Sequence, residues 1–182
     1  EGSKNLTFAQ NEVTILSALN DESRQQIRDL AEELAATYKP VDVQDDFIDP
    51  TALFNIGYGL YVVTSNDGKK DNGLIVNTVT QVTNTPNRVA VTINKMNYSC
   101  SVIEKTGVLN ISTISTDAPF RLFQRFGFQS GKDVDKLEGF QHGLRSSNGL
   151  LYLGKYANGY ISCKVVNTID LQTHVMFICD VT

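Results

Sequence analysis

The chain has 182 residues, 41% of them hydrophobic, with 16 basic and 20 acidic side chains and a net charge of −4. That is enough chain for one real core plus an appendage, which excludes a disordered polymer. The acidic balance removes any sequence-wide electrostatic case for a nucleic-acid partner. No apolar run approaches the ~20 residues needed to cross a bilayer and no signal-peptide pattern opens the chain, so a cytoplasmic protein without a membrane partner is expected. Cys100, Cys163 and Cys179 are odd in number, widely spaced and without a CxxC pair, and only His142 and His174 could join them as soft ligands. Neither a disulfide framework nor a metal site is expected from them; buried thiols in a reducing compartment are.

Residues 21–38 predict a helix, because Asp21 can cap its start and Ile27, Leu30, Ala31 and Leu34 recur on one apolar face. Pro40 and the acidic run Asp42, Asp45, Asp46, Asp49 then break the pattern as a linker would. Residues 1–46 therefore read as an N-terminal helical extension, and 47–182 as the main domain. From there the texture changes to short β-rich runs separated by turn signals, which favours an antiparallel barrel or sandwich over βαβ units. Strands are expected at 58–65, 73–83, 88–94, 108–114, 150–155, 160–169 and 174–181. Asp67-Gly68 marks a hairpin between the first two, and Ala157-Asn158-Gly159 a turn between the fifth and sixth. A helix over 99–105 should stop at Gly107, and another over 118–126 should start after a capping Asp117 and stop at Gly127.

The stretch from Asn72 to Tyr98 is chemically the richest. A hydroxyl- and amide-rich strand with Asn77, Thr78, Val79, Thr80 and Gln81 lies beside a second strand that ends in Asn94, Lys95 and Asn97. A groove between the two suits a planar cofactor with a phosphate tail. A bend near Thr78–Thr80 would turn backbone amides toward such a ring. The amides of Ser99 and Cys100, at a helix start beside Lys95, suit an anion. Lys132, next to Gly131 in a turn, is a second candidate cation, with Lys136 a lesser one in the same segment. No Ser-His-Asp set, HExxH, P-loop or GxGxxG is present, so any chemistry must be carried by a cofactor.

This wording resembles the flavin reductase-like family, and within it flavoredoxins and the flavin reductase module of high-molecular-weight rubredoxins. Three more segments fit in register: Asn55-Ile56-Gly57-Tyr58-Gly59-Leu60-Tyr61, Phe126-Gly127-Phe128-Gln129-Ser130-Gly131-Lys132, and Thr173-His174-Val175-Met176-Phe177. The resemblance implies a mainly β, FMN-binding split β-barrel of Greek-key-like antiparallel strands, with short peripheral helices and an N-terminal helix. It implies that Asn77, Thr78, Val79 and Thr80 cradle FMN, and that Asn94, Lys95, Asn97 and Tyr98 hold its ribityl and phosphate. It also implies that Ser130, Gly131 and Lys132 close over it. His174 stands where relatives carry Gly-Asp-His near the flavin and the incoming nicotinamide, so it is the one catalytic candidate. Here Gln172-Thr173 precede it, and the acidic neighbour is missing. The implied activity is an NAD(P)H:flavin or rubredoxin oxidoreductase, a homodimer with redox-protein partners. The alternative is an electron-relay or storage module without turnover of its own. The chain stops at Thr182, short of the further segment such relatives carry, so a C-terminally incomplete barrel is expected.

Overall fold

The structure is a computed structural model that describes residues 9–14, 20–37 and 49–182. The chain divides into two units, Glu1–Leu53 and Phe54–Thr182. The acidic linker at 42–46 and the boundary expected near 47 lie outside the described residues.

In the first unit, α1 spans Asp21–Thr37. Its cap is Asn20, not the expected Asp21. The Ser23 amide donates to Asn20 Oδ1 at 2.8 Å, and the Asn20 amide donates back to Ser23 Oγ at 3.3 Å. The reason is spacing, since a side-chain cap must sit three residues before the amide it accepts. The Glu33 carboxylate on this helix accepts the amides of Gln10 and Asn11 at 2.6 and 2.8 Å.

The second unit contains β1 (Tyr61–Asn66), β2 (Asp71–Val76), β3 (Val79–Asn84), β4 (Asn87–Asn94), α2 (Tyr98–Thr106), β5 (Val108–Ile114), α3 (Phe120–Gly127), β6 (Gly143–Arg145), β7 (Leu151–Leu153), β8 (Ala157–Leu171) and β9 (His174–Val181). Seven of the strands form one antiparallel sheet in the order β2-β1-β5-β8-β9-β4-β3, and β6 pairs with β7 apart. The expected strand 73–83 is thus two strands, broken at Asn77–Thr78, with β2 at one end of the order and β3 at the other. Laid flat, six strand spacings would separate those ends by roughly 29 Å. The step from Val76 to Val79 reaches at most about 11 Å. The sheet must therefore curl round on itself, and the break is where it closes into a split barrel.

Alternation on each strand fills the interior. Val89, Val91 and Ile93 of β4 and Val175, Phe177 and Cys179 of β9 are buried with Val63, Leu109, Ile111 and the α2 residues Cys100 and Ile103. A second cluster lies on the other face of β1, where Val62 meets Leu122 and Phe126 of α3 and Leu153 of β7. Helix α2 ends as expected at Gly107, whose φ of 69° is the left-handed conformation that glycine adopts without a Cβ clash.

Two turn assignments change. Residues 157–159 open β8 rather than turning into it, and the chain turns at 154–156. Asn158-Gly159 instead produces the register shift opposite Thr113 and Ile114, a bulge, which the same residue types also favour. Asp117 does not cap α3: Pro119 holds the N-cap position without a side-chain bond, and the Asp117 carboxylate accepts the Ser115 hydroxyl. Among the described residues no helix is long and apolar enough to cross a membrane.

Candidate functional site

The route from β4 into α2 is set by Asn94. Its Oδ1 accepts the Met96 amide at 2.9 Å and its carbonyl accepts the Asn97 amide at 3.0 Å, folding the chain into a tight turn. Asn97 then starts α2 from an extended φ, ψ of −75°, 129°, with no side-chain cap. The first-turn amides of a helix have no partner within it. Here the Cys100 amide, expected to face an anion, donates instead to the Asn97 carbonyl at 2.9 Å, and the amides of Tyr98 and Ser99 border a cavity of about 250 Å³ lined by Leu74, Asn97, Tyr98, Ser99, residues 127–131 and Lys136.

Lys136 is the central charge of that cavity. It is only 5% exposed, and its ammonium donates to the carbonyls of Gly73 at 2.9 Å and Phe126 at 3.1 Å. None of the three ion pairs among the described residues includes it. Burial holds its pKa below the usual lysine value, as expected for a charge taken out of water with only carbonyl dipoles facing it.

Beside it, Asn72 is buried in β2 and donates from Nδ2 to Ser99 Oγ at 2.6 Å, while its Oδ1 is buried without a partner. Gly131 packs against that amide so closely that a Cβ there would come within 2.6 Å of Asn72 Cγ. Ser130 holds its own loop, with its carbonyl accepting the Asp133 and Val134 amides and its hydroxyl the Lys132 amide at 3.2 Å. Together the uncapped helix start, the buried cation and the backbone of 130–131 form a concave surface of positive potential suited to a phosphate.

The β1–β2 turn braces this wall. Lys70 Nζ donates to the Gly131 carbonyl at 2.6 Å, and the Tyr98 phenol donates to Asp67 at 2.5 Å. The phenol bond, followed by the Lys70 and Lys69 amides, holds the Asp67 carboxyl well below the usual range, and the same bond raises Tyr98. A group with a depressed native pKa adds stability that is complete above its free pKa and fades as pH falls through the native value. Tyr98→Phe removes the largest cause. The wild-type and Tyr98→Phe unfolding midpoints should therefore differ most at neutral pH, and the gap should begin to narrow only below about pH 4. Urea titrations at pH 7 and pH 3 check this, and a gap equal at both values counts against it.

The expected residues fall into three places. Asn97, Tyr98, Ser130 and Gly131 line the cavity. Asn77, Thr78, Val79 and Thr80 sit at the barrel closure: the Thr78 hydroxyl donates to the Thr92 carbonyl at 2.5 Å, its own carbonyl accepts the Thr92 amide, and Asn77 and Thr80 are exposed. As β3 pairs only with β4, the other backbone edge of this strand has no strand partner.

Asn94, Lys95 and His174 form the third group, at the β4–β9 end. Asn94 is in register with His174, the Thr173 hydroxyl lies 2.8 Å from His174 Nδ1, and both Asp170 oxygens accept from Lys95 Nζ at 2.7 Å. The Lys95 ammonium is thus engaged with a carboxylate, a partner the sequence reading did not include. Lys132 is exposed and does not line the cavity. Asn72 and Ser99's hydroxyl belong to the site without having been singled out. Gly131 and Ser99 meet Asn72 across the barrel wall only after folding, so no local signal marks these contacts.

Residues 53–182 match the family described as Flavin reductase like domain. The chain is 38% identical over 135 residues to the high molecular weight rubredoxin of Moorella thermoacetica, covering 74% of this chain and 58% of that protein. It is 32% identical over 131 residues to the ferric-chelate reductase (NAD(P)H) of Archaeoglobus fulgidus, covering 72% and 77%. The chain thus spans less than two thirds of the rubredoxin. The solved flavoredoxin of Methanosarcina acetivorans superposes with a TM-score of 0.62 over 79% of this chain and 73% of its own, at 20% identity, a likeness of fold.

Proposed function

Because the chain belongs to the flavin reductase-like domain family, we propose that it binds FMN and serves as an NAD(P)H-dependent flavin oxidoreductase. The observation that carries this reading is the Lys136 ammonium, buried without a carboxylate partner and facing an uncapped helix start in one cavity. That is a place built for the anionic tail of a ligand. In this reading Lys136, Ser99, Ser130 and the amides at the start of α2 hold the phosphate. The free edge at Asn77–Thr80 offers amide and carbonyl partners to the ring's polar rim. The phosphate role expected of Lys95 passes to Lys136, and Lys95 with Asn94 borders the ring's approach. Bound there, flavin supplies the redox chemistry, taking hydride from reduced nicotinamide and returning electrons singly or in pairs.

His174 is the proposed positioning group for nicotinamide. With Thr173 rather than a carboxylate at Nδ1, the imidazole is held by a neutral hydroxyl, so its orienting effect comes from hydrogen bonding rather than from a charged pair. His174→Ala should slow the reductive step about tenfold or more while leaving FMN affinity unchanged, a modest loss on the scale of removing one positioned proton-bearing group. Stopped-flow bleaching at the wild-type rate counts against that role.

The test of the whole reading is the spectrum of the purified protein, with flavin bands near ~450 nm that bleach with NADH or NADPH under anaerobic conditions. A colourless protein that takes up no FMN overturns it. A second reading has one observation in its favour, that the chain covers 58% of its rubredoxin relative. A relay module within a longer protein would hold flavin that bleaches with dithionite and not with reduced nicotinamide. Free flavin, a ferric chelate and rubredoxin are the acceptors to compare. A homodimer is proposed as well, and sedimentation of the FMN-loaded protein tests it.

A further inference from the structure

Among the described residues, the buried side-chain oxygens without a hydrogen-bond partner are Ser65 Oγ and Asn72 Oδ1. They belong to residues paired directly across β1 and β2, so both project from the same face of the sheet. Both residues are 2% exposed or less. Orphaned polar atoms at that depth are rare in folded chains, because each one destabilises the native state.

The two groups are chemically complementary. Ser65 carries a hydroxyl proton, and the amide oxygen of Asn72 can only accept. Directly opposed residues hold their Cβ atoms about 4.5–5.5 Å apart, a span that a serine and an asparagine side chain can close between them.

The other end of the Asn72 amide faces the smaller cavity. Its Nδ2 donates to Ser99 Oγ at 2.6 Å, and the Ser99 proton itself has no acceptor among the described residues. Ser99 is buried and lines that cavity together with Lys136. Gly131 fixes which way round the amide lies. The position a Cβ would take on Gly131 falls against Asn72 Oδ1, so a Cα hydrogen points at that atom. An amide oxygen accepts such a contact and an NH2 group does not. The donors therefore run one way, from Ser65 to Asn72, from Asn72 to Ser99, and from Ser99 into the cavity.

We propose that Ser65 and Asn72 are positioning residues that present the Ser99 hydroxyl as a donor to an anionic oxygen, and that the Ser65 hydroxyl bonds to Asn72 when that oxygen arrives. This rests on the reading of the smaller cavity as a phosphate site. An oxyanion that takes the Ser99 proton makes Ser99 Oγ a better acceptor for Nδ2, which in turn makes Asn72 Oδ1 a better acceptor for Ser65. A neutral hydroxyl in the same place polarises the set less. The relay thus favours a phosphate-tailed ligand over its uncharged counterpart from behind the wall, through residues that never touch the ligand.

Equilibrium titration of the full chain, stripped of flavin, with FMN and with riboflavin gives the ratio of the two affinities, and urea unfolding without ligand gives stability. Asn72→Ala should lower the FMN-to-riboflavin ratio about tenfold and Ser65→Ala about threefold, with riboflavin affinity staying within a factor of about two of the wild type. In a Ser99→Ala background either substitution should change the ratio by less than about twofold, because the hydroxyl through which both act is gone. Ser65→Ala should leave the ligand-free unfolding midpoint unchanged or raised, since it deletes an unpaired buried hydroxyl. A residue needed only for packing would lower stability and the affinities for both ligands together. A ratio unchanged in Asn72→Ala or in Ser65→Ala, riboflavin affinity that falls in step with FMN, or losses of equal size with and without the Ser99 hydroxyl overturns the proposal. A wild type that binds FMN no tighter than riboflavin overturns the phosphate reading of the cavity and this proposal with it, whereas a wild-type preference for FMN that is indifferent to Ser65 and Asn72 overturns this proposal alone.

Discussion

Lys136→Met should lower FMN affinity by about 100-fold, or ~2.7 kcal/mol, while riboflavin binds both proteins within a factor of about three. The contrast between the two ligands isolates the phosphate. In the protein without ligand, the ammonium is buried against two carbonyls, so a large part of its desolvation is already incurred before any anion arrives. A phosphate entering the cavity meets a cation that water does not screen, together with the α2 amides, and such charge-assisted bonds are about twice as strong as neutral ones. Lys95→Ala, by comparison, should change FMN affinity by no more than about threefold, because its charge is exposed and already taken by Asp170. A loss for Lys95→Ala equal to that for Lys136→Met would move the phosphate back to the β4–β9 end.

The titration of Lys136 gives an independent check, with opposite signs for folding and binding. Its native pKa lies below the 10.5 of a free lysine because of burial. Between the native value and the free value, the unfolded chain binds more protons than the native one, so this group makes stability rise with pH across that window. Binding runs the other way. The phosphate needs the charged ammonium, so FMN affinity should fall over the same alkaline interval while riboflavin affinity stays level. In Lys136→Met both slopes should flatten. Removing the cation leaves the Gly73 and Phe126 carbonyls without their donor, but it also removes a buried charge. The net change in stability at neutral pH is therefore expected to be small.

What was legible in the sequence divides along physical lines. Alternation wrote β4 and β9 plainly, since Val89, Val91, Ile93 and Val175, Phe177, Cys179 all face one interior, and Gly107 marked the end of α2 because a left-handed residue there is a local requirement. The break at Asn77–Thr78 was legible only as a conditional bend near Thr78–Thr80 inside a strand expected to run over 73–83. Val76-Asn77-Thr78-Val79 has no glycine or proline, and the chain bends there only because the two ends of a seven-stranded sheet must meet. Asn158-Gly159 showed that the backbone departs from regular pairing, and it does, but a turn and a bulge ask for the same residue types.

Lys136 is the most instructive case for the site. The sequence ranks Lys136 below Lys95 and Lys132 as a candidate cation, because only the tertiary approach of Gly73 and the end of α3 buries its ammonium. Asn97, Tyr98, Ser130 and Gly131 line one cavity and lie in motifs that are continuous in sequence. The residues that hold them, Asn72 and Lys70, act across the barrel wall.

Gly131→Ala is the substitution expected to damage the fold most directly, by about 1–3 kcal/mol, the usual consequence of forcing a methyl into a packed site. The backbone at 131 is not in the left-handed region, so the effect is one of space and not of conformation. The obstructing group is the amide of Asn72, which is 2% exposed and tied through Nδ2 to Ser99. It is not a free chain end that could swing aside. The added methyl must either push the 130–131 loop outward, opening the cavity and tearing the Lys70 bond to the Gly131 carbonyl, or displace Asn72 and with it the start of α2. Either movement should also weaken FMN binding. Shortening the obstacle separates sterics from everything else: Asn72→Ala removes the Oδ1 that lies against Gly131 and is itself without a partner. In the double variant Asn72→Ala/Gly131→Ala the two changes should be less costly than the sum of the single ones, with a coupling of about 1–2 kcal/mol as expected of residues in direct contact. Urea unfolding of the four proteins measures this coupling. Strict additivity would mean that the loop yields to the methyl freely and that Asn72 does not set the position of the wall.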